Sequence, residues 1–281
     1  MKQKLPSTPG PIGVFDSGYG GLTILDKIRG LMPEYDYIYL GDSARCPYGP
    51  RSFEVVYEFT LQAVSKLFEL GCPLVILACN TASAKALRTI QQINLPVIDA
   101  TRRVLGVIRP TAECIGEITR SRHVGILATA GTIKSESYLL EIHKLSPDIV
   151  VTGEACPMWV SLVENNEYQS EGADYFVKQH INRLLDKDPM IDTIILGCTH
   201  YPLLLDKIRQ FTPGHIRIIA QGEYVARSLQ DYLNRHPEMD ARCEKGGKCR
   251  FLTTESENKF EESASIFLGR QDIKVKSIAL E

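Results

Sequence analysis

Short runs of consecutive apolar residues alternate along the chain with longer segments whose apolar positions recur every three or four residues. The short runs are rich in Val, Ile and Leu and end in glycine or polar turns. They predict strands over 12–15, 37–40, 74–78, 97–98, 124–128, 149–152, 193–196 and 217–219. Unbroken apolar runs, rather than strict alternation, mark strands covered on both faces. The intervening segments predict helices over 21–31, 52–70, 83–93, 135–144, 173–185 and 223–235. The 3–4 spacing is fullest in Phe53, Val56, Tyr57, Thr60, Leu61, Val64, Leu67 and Phe68. Strands alternating with helices predict an α/β fold with largely parallel sheets. Residues 1–10, with Pro6 and Pro9, read as a polar arm.

The pattern repeats. Ile12-Gly13-Val14-Phe15-Asp16-Ser17-Gly18 is matched 112 positions later by Val124-Gly125-Ile126-Leu127-Ala128-Thr129-Ala130. Val75-Ile76-Leu77-Ala78-Cys79-Asn80-Thr81 is matched 119 positions later by Ile194-Ile195-Leu196-Gly197-Cys198-Thr199-His200. In each unit an apolar strand ends in a polar turn that opens a helix. The chain therefore divides into two similar α/β domains related by a pseudo-twofold axis. The expected bounds are 11–101 and 102–216, with 217–281 returning to the first domain. Functional groups of open α/β sheets gather at strand carboxyl ends, which places a site at the interface of the halves.

Composition narrows the classes. The 281 residues are 44% hydrophobic and 23% charged, as in ordinary globular chains. Lys+Arg 32 against Asp+Glu 34 gives a net charge of −2, which lacks the electrostatic footprint of a nucleic-acid or anionic-membrane binder. Apolar runs such as 74–79 are far shorter than the ~20 residues of a membrane span. The start MKQKLPSTPG has no apolar core of a secretory signal. Eight cysteines are too sparse for a disulfide scaffold, so a cytoplasmic chain with reduced thiols is expected.

Cys79 and Cys198 carry the strongest chemical signal. Each directly follows a buried-type strand and precedes hydrogen-bonding residues, Asn80-Thr81 and Thr199-His200. A single cysteine in such a place reads as a small buried hydrophobe. Matched placement in both repeats instead brings two sulfurs to one ligand from opposite sides. A metal site of Cys79, Cys198 and His200 lacks a further ligand and any CxxC spacing, so no metal is expected. Asp16-Ser17-Gly18-Tyr19-Gly20-Gly21 opens a helix where glycines admit close backbone approach and the helix N-terminus favours an anion. Its spacing is not that of the dinucleotide fingerprint. Asp16 also fits a helix N-cap. The loop 41–50 and Thr129-Ala130-Gly131-Thr132 stand at equivalent strand ends. Cys46, Cys72, Cys114 and Cys156 read as packing residues, and 243–249 as a surface hairpin.

Together, Asp16-Ser17-Gly18-Tyr19-Gly20-Gly21, Pro47-Tyr48-Gly49, Cys79-Asn80-Thr81-Ala82-Ser83 and Gly197-Cys198-Thr199-His200-Tyr201-Pro202 resemble the glutamate racemases of the aspartate/glutamate racemase superfamily. The resemblance runs from about residue 11 to 270 and includes Phe251-Leu252-Thr253-Thr254 and Phe267-Leu268-Gly269. It implies cofactor-independent interconversion of L- and D-glutamate for peptidoglycan synthesis, by a homodimeric cytoplasmic enzyme. By resemblance Cys79 and Cys198 are catalytic, with Asp16 beside the first and His200 beside the second. Ser17, Tyr48, Gly49, Asn80, Thr81, Thr129, Thr132 and Thr199, together with Asp16 and His200, are expected to hold the substrate, and Glu164 to lie near it. One departure is Ala220, where many relatives carry Asp.

The implied chemistry has a physical logic. Inverting an α-carbon removes a proton from one face and returns one to the other, which suits two groups on opposite sides. A free thiol, with a pKa of about 8.5, is a few per cent thiolate at neutrality. Asp16 and His200 suit proton handling, and hydroxyl, amide and backbone N–H donors suit the anionic intermediate. No lysine sits in a pyridoxal-phosphate motif, which fits a cofactor-free route. The closest rival within the superfamily is an aspartate or related racemase; rivals from other classes are a thiol hydrolase, in which one cysteine is idle, and an amino-acid-binding protein, which tolerates loss of both.

Overall fold

The computed structural model describes residues 9–269 and 273–280. The expected polar arm lies outside the described residues as far as residue 8. Among the described residues ten strands form two sheets, and every pairing of these strands is parallel. The first sheet contains β1 (Ile12–Asp16), β2 (Tyr37–Gly41), β3 (Leu74–Leu77), β4 (Arg103–Gly106), β9 (Cys249–Thr253) and β10 (Val275–Ser277), in the order β10-β9-β2-β1-β3-β4. The second contains β5 (His123–Ala128), β6 (Val150–Ala155), β7 (Thr193–Gly197) and β8 (Arg217–Ala220), in the order β6-β5-β7-β8.

The repeat read from the sequence is a repeat in register. Gly13 of β1 lies opposite Val75 of β3, and the matched Gly125 of β5 lies opposite the matched Ile194 of β7. The orders β2-β1-β3-β4 and β6-β5-β7-β8 are the same walk, so Cys79 and Cys198 emerge at equivalent strand ends.

Both faces of each sheet are buried, which explains the unbroken apolar runs. Ile12, Val14, Tyr37, Tyr39, Leu74 and Ile76 join one core, while Phe15, Ile38, Leu40, Val75 and Leu77 join another across the sheet. In the second sheet Leu127, Ile194 and Leu196 face one core and Val124, Ile126 and Ile195 face the other. Each such side chain, fully buried, contributes about 1.5–3 kcal/mol of transfer free energy.

The structure corrects three expectations. The fourth strand is Arg103–Gly106, not 97–98. Pro96 opens a short helix, Leu95–Ile98, and Val97 there is 86% exposed, so an apolar pair alone did not make a strand. The helix expected over 83–93 begins earlier, at Asn80, and is broken into Asn80–Lys85, Leu87–Thr89 and a π-helical turn, Ile90–Asn94. The expected bounds at 101 and 216 each fall one strand early, because β4 pairs with β3 and β8 pairs with β7. The chain returns to the first sheet only after β8. Helix Gly222–Arg235 buries Val225, Ala226, Leu229 and Leu233 in the first half's core, and β9 pairs with β2.

Candidate active site

β1 delivers Asp16 at its carboxyl end, fully buried. Its Oδ2 accepts from the Gly18 backbone N–H (3.0 Å), which caps the turn, and its Oδ1 from the Thr199 hydroxyl of the other half (3.5 Å). Burial pushes the Asp16 carboxyl above its ordinary range, against the nearby His200 charge and the Gly18 N–H.

β3 delivers Cys79, 5% exposed, as the N-cap of helix Asn80–Lys85. Its sulfur accepts from the Ala82 N–H (3.4 Å), and its thiol donates to Ser17 Oγ (3.4 Å). Burial and the Asp16 charge push the thiol up to about 12, so it holds its proton at neutral pH.

β7 delivers Cys198, 7% exposed, and two residues later His200, 3% exposed. His200 Nδ1 lies 3.8 Å from the Cys198 sulfur, and Nε2 lies 3.0 Å from Glu164 Oε1. Burial opposes charge on the imidazole, but the bonds to Cys198 and Glu164 outweigh it and push the pKa up to about 10. Burial likewise opposes charge on Glu164, yet His200 and Cys46 hold its carboxyl below the ordinary range. An imidazolium–carboxylate pair thus sits behind Cys198, whereas a neutral thiol with a buried carboxyl sits at Cys79. The Cys198 side carries a proton donor against its sulfur, and the Cys79 side carries its proton on the sulfur itself.

The remaining expected residues gather here with differing commitments. Thr81, Thr129 and Thr132 form a hydroxyl cluster across the halves, with Thr81 Oγ1 2.9 Å from Thr129 Oγ1 and 3.4 Å from Thr132 Oγ1. Thr129 also caps helix Ala130–Lys134 by accepting from the Thr132 N–H. Gly49 packs on Thr129 and accepts from the Gly131 N–H (3.0 Å). The Tyr48 hydroxyl donates its proton to Asp42. Asn80 directs its amide to Gln221 and Tyr138.

Close approach explains the glycine loop. A Cβ at Gly20 would stand 2.6 Å from His200 Nδ1 and still nearer Thr199 Oγ1, so the loop of the first half touches the His200 turn of the second only as glycine.

Sequence reasoning missed Cys46. It was read as packing, but its thiol donates to Glu164 Oε1 (3.1 Å), the oxygen that also meets His200. Gln221 and Tyr138 were also missed. Among the described residues no group of three or more His, Cys, Asp or Glu side chains is arranged to hold a metal ion, and no helix is long and apolar enough to cross a membrane.

A buried thiol thus stands at the same strand end of each of two repeated halves, with the Asp16 carboxyl near the first and the His200 imidazole beside the second. A family model for Asp/Glu/hydantoin racemases matches residues 23–229, and the chain belongs to that family. It is an amino-acid racemase, an isomerase. More narrowly, the resemblance is to glutamate racemases. The chain is 40% identical over 271 residues to glutamate racemase of Bacillus cereus, covering 96% of this chain and 97% of that one. It is 38% identical over 270 residues to that of a Ruegeria species, covering 92% and 97%. Among solved structures it is similar to glutamate racemase of Bacillus anthracis, with a TM-score of 0.87, 36% identity and 96% and 98% coverage. That of Francisella tularensis, solved in complex with D-glutamate, gives 0.85, 31%, and 97% and 98%.

Proposed function

We propose that the chain interconverts L- and D-glutamate without metal or organic cofactor, using Cys79 and Cys198 as the two proton-transferring groups. The observation that carries the reading is the pair of buried thiols at register-matched ends of β3 and β7. The substrate's α-carbon lies between the sulfurs. From L-glutamate, the Cys198 thiolate takes the α-proton, and the electron pair of the broken C–H bond passes into the carboxyl-stabilised anion. The Cys79 thiol gives its proton to the opposite face, which yields D-glutamate and leaves Cys79 as thiolate and Cys198 as thiol. The next turnover runs from D-glutamate, or the protons are reset through Asp16 and through the His200–Glu164 pair. The anion meets backbone N–H groups at the starts of helices Asn80–Lys85 and Ala130–Lys134 and the hydroxyls of Ser17, Thr81, Thr129, Thr132 and Thr199. Donors fixed in a buried site act with little reorganisation.

The same reading makes the product D-glutamate a cytoplasmic supply for peptidoglycan synthesis, made by a homodimer. Glutamate as substrate is supported by the glutamate racemases to which the chain is similar. The test is circular dichroism of L- and D-glutamate, aspartate, glutamine and alanine incubated with the purified chain and no cofactor. Both glutamate signals decay to zero if the reading holds. A stable glutamate signal, or faster decay of another amino acid, overturns it. Light scattering tests the dimer.

A further inference from the structure

Asn80 follows Cys79 in the chain, and both ends of its amide are engaged across the domain boundary. Asn80 Nδ2 donates to Gln221 Oε1 (2.7 Å), Gln221 Nε2 donates to the Tyr138 hydroxyl (2.6 Å), and that hydroxyl donates to Asn80 Oδ1 (2.7 Å). The three bonds close a ring, and all three side chains are buried. Gln221 Nε2 also lies 3.0 Å from the Val107 carbonyl and 3.2 Å from Thr111 Oγ1, at the start of helix Ile108–Ile118. Asn80 belongs to the first half. Tyr138 (helix Ser137–Leu145) comes from the second, and Gln221 is the crossover residue between β8 of the second half and helix Gly222–Arg235, which packs in the first.

A closed ring has consequences that three separate bonds lack. Each donor polarises the next, so the ring is stiffer than its parts. A hydroxyl donor on one side and a carbonyl acceptor on the other distinguish the Asn80 oxygen from its nitrogen, so the amide has one orientation. Each end of that amide keeps one unused valence, an N–H and a lone pair. Gln221, next to Ala220 at the end of β8, is the residue that closes the ring.

We infer that Gln221 is a positioning residue for substrate binding. Through the ring with Tyr138 it fixes the Asn80 amide beside Cys79 and ties that orientation to the seating of one half on the other. The inference rests on the reading that Asn80 holds the substrate. It predicts a binding effect, because an amide that holds the substrate equally before and during proton transfer acts on KM rather than kcat.

The test uses Tyr138→Phe, which removes only the hydroxyl, and Gln221→Met, which keeps the length and removes the amide. For wild type, both variants and the double variant, KM and kcat are measured with L- and D-glutamate, Kd for D-glutamate by calorimetry, and Tm. The expected result is a rise of about tenfold in KM and Kd, the order of a hydrogen bond lost from a misaligned group. kcat stays within about threefold, and the double variant is no worse than Gln221→Met because both open the same ring. Folded variants with KM and Kd within about twofold of wild type, or effects that multiply in the double variant, overturn the inference. A lowered Tm with unchanged KM reveals a merely structural ring and also overturns it. If Gln221→Met does not fold, Tyr138→Phe alone decides. A wild-type chain inactive on glutamate overturns the substrate reading and this inference together, whereas an active wild type with unchanged variants overturns this inference alone.

Discussion

Gly20→Ala adds one methyl group where the two halves touch. The new Cβ would lie 2.6 Å from His200 Nδ1 and 2.8 Å from His200 Cε1, with ordinary contact beginning at 3.4 Å, so the imidazole must retreat by about 0.8 Å. It has little freedom to do so. His200 is buried, its Nε2 is bound to Glu164, and its ring packs edge-on against Phe267 with centroids 5.4 Å apart. Thr199, nearer still, sits between Cys198 and Asp16. A catalytic group misplaced by about 1 Å costs on the order of 100-fold in rate, and overpacking of this kind costs about 1–3 kcal/mol of stability. The expected outcome is a fall of about 100-fold in kcat/KM, equal for L- and D-glutamate because the equilibrium constant between enantiomers is fixed. The circular-dichroism assay reads this, with Tm recorded alongside. Gly30→Ala is the control. Nothing lies within 4 Å of its added Cβ, it is exposed on helix Leu22–Leu31, and it keeps full activity. A Gly20→Ala enzyme within threefold of wild type would refute the claim that the proton-handling groups are held by contact between the halves.

Other outcomes follow from the same geometry. The His200 pKa rises from 6.5 to about 10 on folding, so its stabilisation is complete below pH 6.5 and is lost as pH rises through 10. Wild-type Tm therefore falls between pH 6.5 and 9, below the range where Cys79 contributes, and His200→Asn flattens that slope; parallel slopes would contradict the imidazolium assignment. Cys46→Val removes a donor from Glu164, whose carboxylate also faces His200 and Lys259, so the acid limb of the pH–rate profile moves to higher pH while Cys46→Ser restores it. Identical profiles for the valine and serine variants would remove Cys46 from the site. Dialysis against chelator with a thiol reductant leaves full activity, and a loss reversed by added metal would defeat the cofactor-free route.

Much of the site was legible in the sequence because it repeats. A glycine pair, two apolar strands and two strand-end cysteines keep the same order in both halves, and parallel pairing turns that order into matched register. What was not legible depends on distant pairings. β9 pairs with β2, from the opposite end of the chain, and no local pattern in Cys249–Thr253 announces it. Gln221 follows a short strand and reads as an ordinary loop polar residue. Its partners lie 141 and 83 positions away. Cys46 gains its meaning from Glu164, 118 positions on. The error at 97–98 has a local cause: β-branched residues can be exposed on a helix, and Pro96 favours a helix start there.

The central claim is that each thiol serves one face of the α-carbon. It is tested most directly by following the α-proton of L- and D-glutamate by NMR in heavy water, with Cys79→Ala and Cys198→Ala enzymes. Removing a positioned acid or base typically costs 10²–10⁴-fold, so both variants lose racemisation by roughly 10³-fold. The account predicts that the Cys79→Ala enzyme exchanges the α-proton of L-glutamate alone and the Cys198→Ala enzyme that of D-glutamate alone. Either variant racemising within tenfold of wild type, or both exchanging the same enantiomer, would contradict it.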